Sequence, residues 1–409
     1  MLVMKKSVWW LVGLSFALSL VVPNGYSIGM AVLFIAGLSV PFLKDKIKLT
    51  TGDLLLVVVF FIYFLLMVGF VYLDGWHTRE LDRPSRFLFV IPAFLLMLYC
   101  NGPKVALWLG AIIGSFGALG IAVYERFALN YSRAKGGEHP IMFGDTSMLL
   151  GLLCAVAALY FFSKRQFAYT VIALLAALSG VLGSLLSGSR GGWVAVPLIL
   201  FFLLWQSREL LGKKLIVGLL LIGAVSLGAI LSVPSLGVTQ RLQAAVHNVE
   251  AYVAGNPNTS VGLRFEMWKA NLYLFTTSPI VGVGEYHGME LKKQLADQGK
   301  MAPAAAQFSH AHNEYIDALG LRGIVGFLAL MAVYLVPLRL FLAKMRKYKD
   351  NWNVKAYSMA GALVPMSYMD FALTQSMFSH NIGVMMYVFP IAFFWAATRW
   401  AEREAKGEA

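Results

Sequence analysis

The stretch "LLLVVVFFIYFLLMVGFVYL", Leu54 to Leu73, decides the fold. It holds no charge and no proline. As a helix it reaches about 30 Å, the hydrocarbon thickness of a bilayer. "LIVGLLLIGAVSLGAILSV", from Leu215, repeats the pattern. Of 409 residues, 59% are hydrophobic and only 13% charged, and the mean hydropathy of +0.69 is far above that of a water-soluble domain. The short alternating segments of an outer-membrane barrel are not seen. These features predict an all-α, polytopic membrane protein with about 12 spans. The spans centre near residues 15, 35, 63, 93, 115, 150, 177, 199, 224, 332, 364 and 390.

The first segment has a basic start and an apolar stretch but no small-x-small cleavage site, so it reads as a retained helix. Cys100 and Cys154 both fall in apolar runs and indicate neither a disulfide framework nor a metal site. The formal net charge of +13 sits mostly beside apolar runs, which points to membrane orientation rather than to nucleic acid. "KDKIK", "SKRQ", "SRELLGKK" and "KMRKYKDNWNVK" are compact and basic, and they alternate with the other loops. The positive-inside rule puts them, and both termini, in the cytoplasm.

The expected organisation is nine spans with short loops over residues 1–232, a large outward loop over 233–320, and three spans with a polar tail over 321–409. The large loop is too long for a bare connection and should carry helices of its own. Asp145, Arg190, Arg264, His310, His312, Arg322, Asp370 and His380 all map to the outer face or the outer ends of spans. A transporter usually keeps its polar site near the midplane.

Three stretches carry candidate chemistry. "SGSRGGW", Ser187 to Trp193, is a tight outward turn. Its glycines permit close approach of a ligand, the next helix start favours an anion, and Arg190 adds a planar donor fork suited to phosphate. The bland alternative is an arginine snorkelling to lipid headgroups.

The second, "GLRFEMWKANLYLFTTSPIVGVGEYHG" from Gly262, reads as a helix ending in a Pro/Gly-rich turn. Phe265, Trp268, Leu272 and Phe275 form one apolar stripe, with Arg264 beside it and Glu266 and Lys269 pointing away. An arginine lending only its stem to packing is the alternative here.

The third is "FSHAHNEYIDALGLRGIVGF" from Phe308. Ser309 is the expected N-cap, which puts His312 in the first helical turn. There the helix dipole disfavours the imidazolium and leaves a neutral ring able to act as a base. His-x-His also fits a metal pair, with Glu314, Asp317 or His287 as a third ligand, or two structural histidines.

"FSHN" at the last span adds His380, and the loop holding Arg79, Arg83 and Arg86 offers cations to anionic headgroups. No phosphate-binding GxxxxGK[ST] loop, nucleophile elbow or paired-cysteine zinc pattern is present, so an activated substrate should supply the energy.

Together the three stretches resemble the O-antigen ligase and polymerase superfamily, the ligases most closely. The matching parts are "SGSRGGW", "LRFEMWKANLYLFTTSPIVGVGEYH" and "HAHNEYIDALGLRGIVGF", in the family's order. The resemblance covers about Leu185 to Phe327 by motif and the remainder by span pattern alone.

It implies a bacterial inner-membrane glycosyltransferase of the GT-C type, active on the periplasmic face without metal, nucleotide or other cofactor. The implied donor is an undecaprenyl-diphosphate-linked glycan and the implied acceptor is lipid A–core oligosaccharide. By the same resemblance, Arg190 and Arg264 bind the diphosphate. His312 is the catalytic base, with His310 close enough to share that candidacy. Arg86, Arg83, Gly191, Trp268 and His380 complete the candidate substrate-binding set. An O-antigen polymerase, an O-linked oligosaccharyltransferase and, from a different class, a flippase for lipid-linked sugar are the competing functions.

Overall fold

The computed structural model describes residues 2–43, 47–189, 191–232 and 238–408. Among them are sixteen α-helices and no strand. In chain order they are α1 (Leu2–Leu18), α2 (Gly25–Gly37), α3 (Thr51–Leu73), α4 (Ser85–Tyr99), α5 (Val105–Val123), α6 (Pro140–Ser163), α7 (Phe167–Ser187) and α8 (Val196–Gln206). They continue as α9 (Arg208–Ser232), α10 (Val238–Val253), α11 (Ser260–Thr277), α12 (Glu285–Asp297), α13 (Pro303–Ala306), α14 (Glu314–Lys347), α15 (Trp352–Phe371) and α16 (Asn381–Ala405).

Each of the twelve expected span centres falls inside a helix. Seven stretches among the described residues are long and apolar enough to cross a bilayer. α1 and α8 offer shorter apolar stretches. The chain is an all-α, multi-pass membrane protein.

The chain divides into two compact units, residues 1–199 with 328–409 and residues 200–327. In the first, helices approach closely where side chains are small, as membrane helices do. At the α6–α7 crossing, a methyl group on Gly180 would sit 2.5 Å from the Gly151 Cα. Ser147 Oγ donates to the Gly180 carbonyl there at 2.8 Å.

One end of this unit is fastened by buried charge. Thr50 and Asp53 form a reciprocal cap on α3. Asp53 Oδ1 also accepts from Trp395 Nε1 at 2.7 Å and Arg399 Nε at 3.1 Å. Arg399 Nη1 reaches Glu402 Oε2 at 3.0 Å, and Lys344 and the Tyr348 hydroxyl converge on the same Glu402 carboxylate.

The second unit has an apolar core of Met267, Ala270, Leu295, Met301, Ala305 and Ala311, with their neighbours on α11–α14. Its main joint is backbone on backbone. α14 is broken at Gly323, φ +62° and ψ −163°. The turn after α11 docks into the break. Gly284 N–H donates to the Leu321 carbonyl at 2.9 Å, Ile324 N–H to Pro279 at 2.9 Å, and Val325 N–H to Ile280 at 3.1 Å. Gly282, at φ +71°, lies against this strip, where a methyl group would meet the Arg322 nitrogen at 2.3 Å. The Pro-x-x-Gly-x-Gly spelling of the turn is therefore a docking requirement.

Candidate active site

In the first unit, α7 ends at Ser187 and Gly188 closes it in the left-handed conformation, φ +67°. Arg190 lies outside the described residues, but its frame is clear on both sides. Arg133 Nε donates to the Ser187 carbonyl at 2.7 Å, and Ser189 Oγ donates to Asp145 Oδ1 at 3.1 Å. Trp193 Nε1 donates to Ser184 Oγ at 3.1 Å. Ala195 N–H, at the start of the next helix, is already held by Asp370 Oδ1 at 2.9 Å. One of the amides that the sequence offers to an anion is thus committed to a carboxylate. A methyl group on Gly191 would stand 1.7 Å from Thr374 Oγ1, so close packing accounts for that glycine.

His380 precedes α16, and its ring stacks on His139 with centroids 6.3 Å apart. Its Nε2 lies 3.2 Å from Gln375 Nε2. Burial, reinforced by the Arg133 charge, lowers the pKa of His139. Arg86 forms an ion pair with Asp82 at 2.7 Å and lines a cavity of about 290 Å³ with Asn24, Tyr26, Phe34, Phe89 and Asn381. Arg83 is half-buried in the loop before α4.

In the second unit, the helix carrying Arg264 starts as α11 behind a Thr259 cap, whose side chain accepts from Gly262 N–H at 3.0 Å. The expected stripe needs correction. Met267, Ala270, Asn271 and Leu274 form the buried face, and Leu272 is exposed. Glu266 is buried rather than pointing away. It accepts from the Tyr252 hydroxyl at 2.9 Å and from Ala302 N–H at 2.9 Å, partners brought by α10 and the loop before α13. Arg264 is half-buried at the edge of this face, and Lys269 is exposed.

The histidine loop also corrects one expectation. Asn313, not Ser309, caps α14, and its Oδ1 accepts from the N–H groups of Tyr315 and Ile316 at 3.1 Å each. His312 therefore lies before the helix, at φ +50°, rather than in its first turn. The His310 and His312 rings are edge to face with centroids 4.5 Å apart.

Between the two histidines, Ala311 is fully buried. Its N–H is held by both Asp317 oxygens, at 2.9 and 3.0 Å, and its carbonyl accepts from Trp268 Nε1 at 3.0 Å. Asp317 is thus engaged with the backbone. Among the described residues, no three His, Cys, Asp or Glu side chains form a metal-holding group. Lys292 is buried near Asp317 and Glu285; burial lowers its pKa and the two carboxylates oppose that shift.

The chain matches the family model described as O-Antigen ligase over residues 175–331. That span contains the glycine turn, the arginine helix and the histidine loop. An uncharacterized protein of Haemophilus influenzae is 32% identical over 382 residues, 92% of this chain and 94% of that protein. An O-antigen ligase of Escherichia coli K12 is 25% identical over 229 residues, 54% of this chain and 52% of that protein. The chain belongs to the O-antigen ligase family. Membership gives it a ligase- or polymerase-type activity on lipid-linked glycans in a membrane setting.

Several residues around the O-antigen ligase family motifs escaped sequence reasoning. Arg133 and His139 gave no local signal, because the turn and the His380 ring they meet are distant in the chain. Asn313 and Trp268 stood inside the motifs, but their roles as cap and as donor to Ala311 follow from tertiary contacts. Asp317 was legible only as an optional metal ligand.

Proposed function

We propose that the protein is an O-antigen ligase, which moves a glycan from undecaprenyl diphosphate to lipid A–core oligosaccharide at the periplasmic face of the bacterial inner membrane. The observation that carries this reading is the family match over 175–331, which takes in all three motifs. The geometry of the histidine loop supports it, since two rings are presented side by side from an anchored backbone.

In this reading, one histidine, His312 by motif, takes the proton from the acceptor hydroxyl. The acceptor oxygen bonds to the anomeric carbon as the bond from that carbon to the diphosphate oxygen breaks. Negative charge grows on the leaving diphosphate. Arg190 and Arg264 each offer it a fixed fork of donors, an interaction that strengthens as the charge develops. The leaving group supplies the driving force, so neither nucleotide nor metal is needed. Trp268, with its indole N–H committed to Ala311, acts through the loop in this scheme. Arg83, Arg86 and His380 belong to the first unit and are proposed as its substrate-facing periphery, whereas Gly191, packed against Thr374, serves there by letting the turn fit.

The test is a cell-free assay with purified full-length protein and a lipid-linked glycan, offering lipid A–core and a second lipid-linked unit in competition. The ligase reading predicts glycan on lipid A–core. Chain extension on the lipid carrier instead makes the protein a polymerase, and transfer to a protein hydroxyl makes it an oligosaccharyltransferase.

A further inference from the structure

Ala311 has no side-chain chemistry, yet the second unit secures it in three ways. Its methyl group lies in the apolar core, its N–H faces a carboxylate, and its carbonyl faces an indole N–H. A carbonyl oxygen would satisfy a buried amide N–H at far lower desolvation cost than an ionised carboxylate. Asp317 instead presents both oxygens to it while only 3% exposed, with the buried Lys292 nearby to offset its charge. A hydrogen bond to an ionised acceptor is stronger than a neutral one, and here the single N–H is shared between two carboxylate oxygens at 2.9 and 3.0 Å. Asp317 is itself fixed, one turn into α14, with its N–H on the Asn313 carbonyl at 3.0 Å. Asn313 in turn caps the helix. Trp268 arrives from α11, one turn beyond Arg264. The residues fixed in this way are the immediate neighbours of His310 and His312.

We propose that Asp317 and Trp268 are positioning residues: they clamp the two backbone polar groups of Ala311 and so set the orientation of the His310–His312 pair for proton transfer. The inference rests on the reading of a histidine as the base. The carboxylate holds the loop from the helix that follows the histidines. The indole holds it from the helix that carries Arg264, so α11 sets two functional groups with one rigid element. Small displacements of a positioned group are costly in rate, about 10²-fold for 1 Å. A clamp at the intervening residue controls displacements on that scale.

The experiment uses the full-length protein, purified in detergent, as Asp317→Asn, Trp268→Phe, His312→Ala, the double variant His310→Ala/His312→Ala, and the two combinations of Asp317→Asn and Trp268→Phe with His312→Ala. Asn keeps one acceptor oxygen, and Phe keeps the ring without the donor. Two quantities are read. The first is transfer of an undecaprenyl-diphosphate-linked oligosaccharide to lipid A–core, split into kcat and KM. The second is the rate at which diethyl pyrocarbonate modifies each histidine, read by mass spectrometry, with exposed His247 on α10 as internal standard. Expected are a kcat loss of roughly 10- to 100-fold in each clamp variant at nearly unchanged donor KM. Modification rates should change at His310 and His312 and not at His247. In the His312→Ala background, Asp317→Asn and Trp268→Phe should add almost nothing, because they act through the missing ring. Full additivity with a His312→Ala variant that has itself lost transfer, or unchanged modification of both histidines in both clamp variants, overturns the clamp. Normal transfer by His310→Ala/His312→Ala overturns the histidine base, and with it the catalytic purpose of the clamp. The modification rates then still report separately whether Asp317 and Trp268 set the rings. If Asp317→Asn does not fold, Trp268→Phe alone carries both readouts.

Discussion

His312 stands at φ +50° just before the cap of α14, its ring 4.5 Å from that of His310. Neither ring belongs to a helical turn, so the choice between them rests on motif rather than on helix geometry. His312→Ala should slow transfer by roughly 10²–10⁴-fold, the usual contribution of a positioned base, and leave donor binding intact. His310→Ala should cost less; a dead His310 variant beside an active His312 variant reverses the assignment. Arg190→Ala and Arg264→Ala should each lower kcat by about 10²–10³-fold, as loss of one charge-stabilising donor does. Lysine at either position should restore only part of the rate, because it lacks the planar fork. Steady-state kinetics on expression-matched variants checks all four.

What the residues revealed in advance was uneven for a physical reason. Ser309 and Asn313 are both good caps by local chemistry. The choice fell to Asn313 because the Ala311 backbone is bound by Asp317 and Trp268, contacts that no local pattern encodes. Glu266 likewise reads as a solvated charge until Tyr252 and Ala302 arrive to use its oxygens.

At the scale of elements, the break in α14 and the turn after α11 form a single joint. Gly323 sits at φ +62°, and a methyl group there would lie 2.4 Å from the Ile280 carbonyl oxygen. Gly323→Ala should therefore cost more than about 1 kcal/mol, through conformational strain alone and before the clash is counted. A lowered thermal midpoint for this variant, with Gly299→Ala as the open-space control at a similar φ of +68°, checks it. The ion cluster joining α3, α14 and α16 makes a second prediction. Asp53→Ala removes a fully buried carboxylate from Arg399 and Trp395, and should destabilise by about 3 kcal/mol, as breaking a buried pair does. Thermal unfolding of the purified variant reads this directly.

The helices themselves were legible from hydropathy, since every expected span centre lies within one. The break at Gly323 was not, because the glycine falls where the polar stretch ending in Arg322 passes into the apolar run, and nothing local marks a break there. Only the docked backbone of Pro279, Ile280 and Gly284 explains why a glycine is there.

For the whole molecule, membrane-crossing helices, a family match that contains all three motifs, and a fixed histidine loop support one account: glycan transfer driven by a lipid diphosphate leaving group. A transporter for lipid-linked sugar moves its substrate across the bilayer with the diphosphate bond intact, whereas a transferase breaks that bond. The decisive measurement is on proteoliposomes of the purified chain, given undecaprenyl-diphosphate-linked glycan and lipid A–core with excess chelator and no nucleotide. The account predicts glycan joined to lipid A–core, with one undecaprenyl diphosphate released per transfer. Intact donor appearing in the opposite leaflet without product, or transfer that ceases under chelation and returns with one added metal, contradicts it.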